Sequence, residues 1–166
     1  MFWEEKIDQL KKSTDPRDFR VPYSDGSGIL KKIEDKFIVT SNSNYRFSNW
    51  AERIMSKTIV RNLLASDMTD EFENLAPNKN YWVVLSRDEV GSKNLVYDCK
   101  PTVIDKLIKL WGRDFYVVDK KYSWLIYFRY NEGESKSSNP EKMSKNFHGG
   151  NSNAYRRNSE EVIRDV

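Results

Sequence analysis

The sequence contains only one cysteine and one histidine in 166 residues. A single cysteine cannot form a disulfide within the chain, and one Cys with one His falls short of the four ligands of an ordinary structural zinc site. Catalysis by a Ser–His or Cys–His pair would depend on His148, which lies in a polar stretch with few aliphatic residues. We therefore expect no metal site and no cofactor, and an enzyme is the less favoured class.

Long apolar runs and secretion signals are missing as well. No run of about 18 apolar residues occurs, so we expect no membrane-spanning segment. The first residues do not combine a basic start with an apolar stretch, and there is no Asn-x-Ser/Thr glycosylation site. Together with the lone thiol, these features indicate a cytoplasmic protein. The many Lys, Asn, Ser and Tyr residues suit an AT-rich bacterial or phage genome.

Charge of one sign is not concentrated anywhere along the chain. There are 28 Lys and Arg side chains and 25 Asp and Glu side chains, for a net charge of +3. The surplus lies in residues 81–130, which carry nine basic and six acidic side chains. Such mixed charge is typical of a solvated surface, and by itself it does not indicate a nucleic-acid binder.

Hydrophobic periodicity predicts helices in the first half of the chain. Residues 2–12 space their apolar side chains at i, i+4 and i+7, with acids early and bases late. Residues 28–38 show a similar spacing, although their β-branched end also suits a strand. Ser48 has the character of an N-cap for a further helix. The apolar side chains of that helix are Trp50 and Ile54. Ile59 and Leu63 would belong to it as well if it continues that far, so its length stays open.

Residues 80–130 show the clearest pattern. Runs rich in aromatic and β-branched residues predict strands at 81–85, 94–98, 115–118 and 122–128. A helix is predicted at 101–111, because Pro101 suits its first turn and Gly112 lies just past its end. The sequence therefore predicts an α+β fold. Helices occupy the N-terminal half, and strand-strand-helix-strand-strand then forms a mainly antiparallel four-stranded sheet, with the helices on one face.

The predicted domain organisation follows from length and composition. Residues 1–131 form a single α+β domain, since domains commonly contain about 100–200 residues. Residues 132–166 are rich in Ser, Asn, Lys and Glu and contain few aliphatic side chains. Such a segment buries too little apolar area to offset the entropy lost on ordering, so we predict a disordered polar tail.

Three charged residues are the candidates for catalysis. Asp98 and Lys100 end a predicted strand, and Asp88 lies in the hairpin loop before it. Metal-dependent nucleases hold Mg²⁺ between acids on adjacent strands, with a lysine that stabilises charge at the phosphate. The same pattern is common in a chain of which 32% is charged, and Asp98 also serves as an ordinary polar residue before Pro101. An Mg²⁺-dependent nuclease is therefore the alternative hypothesis.

Aromatic residues are abundant, with five Trp, nine Tyr and eight Phe. Trp, Tyr and Arg dominate the energetics of protein–protein interfaces, so this surplus favours a binding module. The candidate contact residues are Trp82, Tyr97, Tyr116 and Trp124. A sheet that displays aromatic rings beside Lys and Arg also suits single-stranded nucleic acid, whereas ordinary core packing would use the same rings.

Residues 80–130, which include the Tyr-Trp-Val-Val-Leu strand and the Asp-Lys-Lys-Tyr-Ser-Trp segment, resemble small uncharacterised bacterial α+β proteins. Some of these proteins resemble immunity proteins, which neutralise a toxin from a neighbouring cell. The resemblance implies a cytoplasmic binder that blocks a toxin. The function predicted from the sequence is thus a non-enzymatic protein-binding module of the immunity type, with another protein as the expected partner and nucleic acid as the alternative.

Overall fold

A computed structural model describes residues 2–22, 26–39, 47, 50–54, 58–64, 70–87 and 92–131. Its three α-helices are α1 (Trp3–Lys12), α2 (Ser27–Phe37) and α3 (Pro101–Trp111). The strands are β1 (Phe19–Arg20), β2 (Ile59–Leu64), β3 (Tyr81–Leu85), β4 (Leu95–Cys99), β5 (Phe115–Val118) and β6 (Leu125–Asn131). Two short 3₁₀ helices lie at Trp50–Arg53 and Asp70–Phe72. None of the helices in these ranges is long and apolar enough to cross a membrane.

The strands form one mixed sheet with the order β1-β4-β3-β5-β6-β2. Strands β3 and β4 pair as the predicted antiparallel hairpin, and β5 and β6 pair antiparallel beside them. The predicted α+β character and the mainly antiparallel pairing are confirmed. The prediction of four strands is wrong, because β1 joins one edge antiparallel and β2 joins the other edge parallel to β6.

The parallel edge strand also overturns the helix predicted beyond Ser48. Trp50 belongs to a 3₁₀ helix of four residues, and residues 59–64 pair with residues 126–131 of β6. Ile59 and Leu63 therefore lie on a strand, where Leu63 is fully buried. Apolar residues spaced at about four residues do not distinguish a helix from a β-branched strand, and the tertiary pairing with β6 decides the outcome.

Helices cover both faces of the sheet, so the prediction that they lie on one face is wrong. Helices α1 and α3 bury Ile7, Leu10, Ile104 and Leu107 against one face. On the opposite face, α2 packs against β4, β5 and β6 together with Trp50. The alternation of side chains along each strand supplies apolar residues to both cores, because successive residues point to opposite faces.

The sequence signals at the helix ends hold in the structure. Pro101 occupies the first turn of α3, and Gly112 ends that helix in the left-handed conformation with φ 64°. Gly26 precedes α2 with φ 76°, and a Cβ atom there would lie 2.3 Å from a methyl carbon of Val96. Glycine at residue 26 thus allows α2 to begin directly on top of β4. The domain boundary at residue 131 stays a prediction, and the predicted tail lies outside the described residues.

Candidate binding surface

The connection between β5 and β6, residues 119–124, is a tight turn organised by one carboxylate. The side chain of Asp119 accepts hydrogen bonds from the backbone N–H groups of Lys121 (3.2 Å), Ser123 (2.6 Å) and Trp124 (3.0 Å). It also accepts one from the Ser123 hydroxyl at 2.7 Å. Short polar side chains of this kind hold turns by bonding to the backbone of the following residues. The carboxylate therefore holds most of the turn in one conformation.

Tyr122 lies at the centre of this turn in an uncommon backbone conformation. Its φ is 56°, in the left-handed region that a bulky residue rarely adopts. Its backbone N–H donates to the carbonyl oxygen of Asp119 at 3.0 Å. The left-handed conformation costs an L-residue about 1–2 kcal/mol, so the turn keeps Tyr122 there at the expense of stability. The strand predicted at 122–128 would begin at Tyr122, and this is wrong, because β6 begins at Leu125.

Trp82 lies beside the turn on the face of the sheet covered by α2. It pairs with Asp98 across β3 and β4, and Lys120 from the turn reaches over it. The ammonium nitrogen of Lys120 lies 3.0 Å from the centre of the Trp82 ring and 2.8 Å from a carboxylate oxygen of Asp98. Burial lowers the pKa of Lys120, and the hydrogen bond with Asp98 opposes that shift. The ring and the carboxylate together hold the lysine in place.

Trp124 extends the same surface to the other face of the sheet. Its ring lies 5.7 Å from that of Tyr81 and stays partly exposed, and Lys121 and Ser123 of the turn are exposed. We define the aromatic turn as residues 119–124 together with Trp82. It presents three large aromatic side chains, from Trp82, Tyr122 and Trp124, at one end of the sheet.

Two of the four predicted contact residues lie elsewhere. Tyr97 is 5% exposed in the core beneath α1 and α3, and Tyr116 is fully buried on the opposite face, stacked on Tyr127 with ring centres 4.8 Å apart. The expectation that these two rings are exposed is wrong, because both faces of the sheet are covered. The hydroxyl of Tyr97 accepts a hydrogen bond from the Trp3 indole at 2.8 Å, and burial raises the pKa of Tyr97 to about 12. Only Trp82 and Trp124 retain exposed area, and their role in binding stays a prediction.

The residues of the nuclease hypothesis are separately engaged where the structure describes them. Asp98 pairs with Lys120, and Lys100 pairs with Asp18 at 2.6 Å. Asp88 lies outside the described residues. Within the described ranges, no three His, Cys, Asp or Glu side chains are grouped so that they could hold a metal ion. The structure therefore brings Asp98 to the aromatic turn, as the partner of Lys120.

Lys120 and Tyr122 were not among the predicted site residues. The segment 119–121 carries one local signal, because an Asp accepts hydrogen bonds from backbone N–H groups that follow it in a turn. The position of Lys120 above Trp82 has no signal in the sequence, because it depends on the pairing of β3 with β5.

A comparison with protein-family models matches residues 5–145 to a family of unknown function, DUF6756. Searches of curated proteins and of solved structures found no match to the chain. Since the family model spans most of the sequence, the chain belongs to the DUF6756 family.

Proposed function

We propose that this protein is a non-enzymatic protein-binding module that contacts its partner through the aromatic turn. The observation that carries the proposal is the Asp119-organised turn, which holds Tyr122 on the same sheet face as Trp82 and Trp124 on the opposite face, against Tyr81. Four hydrogen bonds to one carboxylate restrict the turn before any partner arrives. A restricted loop loses little conformational entropy on binding, so more of its contact energy appears as affinity.

The side chains of the turn suit a protein partner. Trp and Tyr bury a large area with few rotatable bonds and are enriched among the residues that dominate interface energetics. Exposed Lys121 and Arg20 lie around them, so the surface combines apolar rings with positive charge. The strained backbone of Tyr122 also supports a functional turn. A shorter or glycine-containing loop would avoid this strain, and strain of this kind tends to occur at functional sites.

Within this proposal, the partner is a toxin and the protein is its immunity-type inhibitor. A rigid aromatic surface with positive charge is suited to cover an acidic or polar site on another protein and exclude its substrate. The support for this finer proposal is the resemblance of residues 80–130 to small bacterial proteins of that type.

The proposal is tested by affinity capture with the full chain and two matched charge reversals. Tagged wild-type protein, Lys121→Glu in the turn and Lys11→Glu on the exposed side of α1 are incubated with lysate of the source cells, with and without nuclease treatment. Trp124→Ala is the fourth protein, and thermal denaturation shows whether each variant is folded. We expect one stoichiometric protein partner with wild type and Lys11→Glu, and at least about tenfold less with Lys121→Glu and Trp124→Ala.

Three results would overturn the proposal. A partner captured equally by all four proteins would place the contact elsewhere, and an empty capture would remove the support for a binding module. Recovery of nucleic acid that disappears on nuclease treatment would favour the nucleic-acid alternative. The toxin hypothesis is tested separately, by expressing the captured partner alone and with this protein. We expect growth arrest alone and restored growth with wild type, but no restoration with Trp124→Ala.

A further inference from the structure

A second aromatic cluster lies where the N-terminus of α1 meets the C-terminus of α3. The rings of Trp3 and Trp111 meet edge to face with their centres 5.1 Å apart, and both side chains are partly buried. The guanidinium of Arg113 lies 5.9 Å from the Trp111 ring. This cluster lies at the C-terminal end of α3, whereas the aromatic turn lies near the start of that helix. Helix α3 begins beside Cys99, which pairs with Tyr81 at the start of β3, and Trp124 of the aromatic turn contacts Tyr81.

Exposed apolar side chains adjoin these two tryptophans. Phe2 precedes Trp3 and is 78% exposed, and Leu110 precedes Trp111 and is 37% exposed. Among the side chains whose burial the structure describes, Val21 and Val39 are the two other large hydrophobic ones that are exposed. Two of these four side chains thus neighbour, along the chain, the two tryptophans that are in contact, and apolar patches rimmed by polar residues typically mark interaction surfaces. We define the corner patch as Phe2, Trp3, Leu110, Trp111 and Arg113.

The charges around the corner patch differ in sign between its two helices. The first turn of α1 carries Glu4 and Glu5, and both are exposed. The last turn of α3 carries Lys109, and Arg113 follows the helix cap. Lys109 pairs with Asp105 within the helix, whereas Arg113 has no ion-pair partner within the described part of the chain. The patch thus has an acidic side on α1 and a basic side on α3.

This arrangement is self-complementary. A two-fold axis through the patch places the acidic side of one copy against the basic side of the other, and both contacts form at once. A partner with charge of one sign would gain on one helix and be repelled on the other. We infer that a second copy of this chain docks on the corner patch and forms a symmetric homodimer. This inference does not depend on the proposed function, because the two surfaces share no residue.

The dimer is expected to be weak. The patch consists of the ends of two helices, so the interface falls in the smallest class, below about 1,200 Å² in total. Dissociation constants in the micromolar range or above suit such a contact. The sedimentation coefficient of the full chain is therefore measured over about 1 µM to 1 mM, a range that brackets these affinities.

Two variants test the apolar contact, with a third as their control. Phe2→Glu and Leu110→Glu place a charge in the patch, whereas Val39→Glu places the same charge at a side chain that is 53% exposed elsewhere. We expect wild type and Val39→Glu to associate as the concentration rises. Phe2→Glu and Leu110→Glu should associate at least about tenfold more weakly, because a desolvated, unpaired carboxylate opposes the contact. Far-UV circular dichroism confirms that each variant is folded.

A charge exchange tests whether the occupant is the same chain. Glu4→Arg alone and Arg113→Glu alone should each weaken association, because the two-fold axis places like charges together. A mixture of the two variants should recover it, since both cross-contacts are then of opposite sign. A wild-type protein that stays monomeric at about 1 mM would overturn the inference. So would association that Phe2→Glu and Leu110→Glu leave unchanged, or no recovery in the mixture.

Discussion

Gly26 offers the sharpest test of how α2 is seated on the sheet. Its φ of 76° lies in the left-handed region, and a Cβ atom would lie 2.3 Å from a methyl carbon of Val96. Gly28, two residues further on, is within the helix, and a Cβ atom there meets nothing within 4 Å. The same substitution by alanine therefore has opposite expected effects at two positions in one turn.

For Gly26→Ala, two costs add. The left-handed conformation costs an L-residue about 1–2 kcal/mol, and forcing a methyl group into packed surroundings costs about 1–3 kcal/mol. We expect a loss of about 3 kcal/mol in the free energy of unfolding, which corresponds to roughly 6–12 °C in Tm for a domain of this size. Gly28→Ala should gain up to about 1 kcal/mol, because alanine is the better helix former.

Urea denaturation followed by tryptophan fluorescence measures both effects. The contribution of the contact is isolated by a double-mutant cycle, because Val96→Ala removes the methyl group that the new Cβ would meet. We expect Gly26→Ala to cost less in the Val96→Ala background, by about the 1–3 kcal/mol of the packing term. Equal stability of Gly26→Ala and Gly28→Ala, or no coupling with residue 96, would refute the reasoning.

Three further predictions concern buried polar groups and the thiol. Glu34 is 2% exposed and accepts hydrogen bonds from the backbone N–H of Phe47 (2.7 Å) and the indole of Trp50 (2.8 Å). Glu34→Ala should therefore lower the free energy of unfolding, measured by urea denaturation, by about 2–4 kcal/mol, and a loss below about 1 kcal/mol would contradict this role. Tyr97→Phe should lower the free energy of unfolding by about 1–2 kcal/mol, because the Trp3 indole loses its hydrogen-bond acceptor. Stability equal to wild type would show that water replaces the hydroxyl as the acceptor. Cys99 is fully buried, and burial raises its pKa well above the ordinary value, so a thiol reagent at pH 8 should react only when the protein unfolds; rapid labelling of the native protein would be incompatible with this burial.

Local sequence signals predicted the elements that are defined by neighbouring residues. The stripe of apolar side chains between Pro101 and Gly112 predicted α3 with its observed bounds, because helix periodicity and end signals act within a few residues. The β3 and β5 runs were predicted for the same reason, since aromatic and β-branched residues suit extended backbone. The β3–β4 hairpin followed from the short connection between two such runs.

Contacts between distant residues decided the rest. Residues 59–64 read as a possible continuation of a helix, and only parallel pairing with β6, more than 60 residues later, makes them a strand. The two-residue strand β1 had no signal of its own, because it exists through its pairing with the end of β4. A strand pattern also shows which residues share a face, but not whether a helix will cover that face.

The sequence by itself determined the mixed composition of the fold, most helix and strand bounds in residues 81–131, and a surplus of aromatic side chains suited to binding. Only the tertiary structure decided which of those rings remain accessible. Tyr97 and Tyr116 are buried because helices cover both sheet faces, whereas Trp82 and Trp124 remain partly exposed beside the turn at one sheet end. Burial depends on the side chains that long-range packing brings together, and periodicity along the chain does not contain that information.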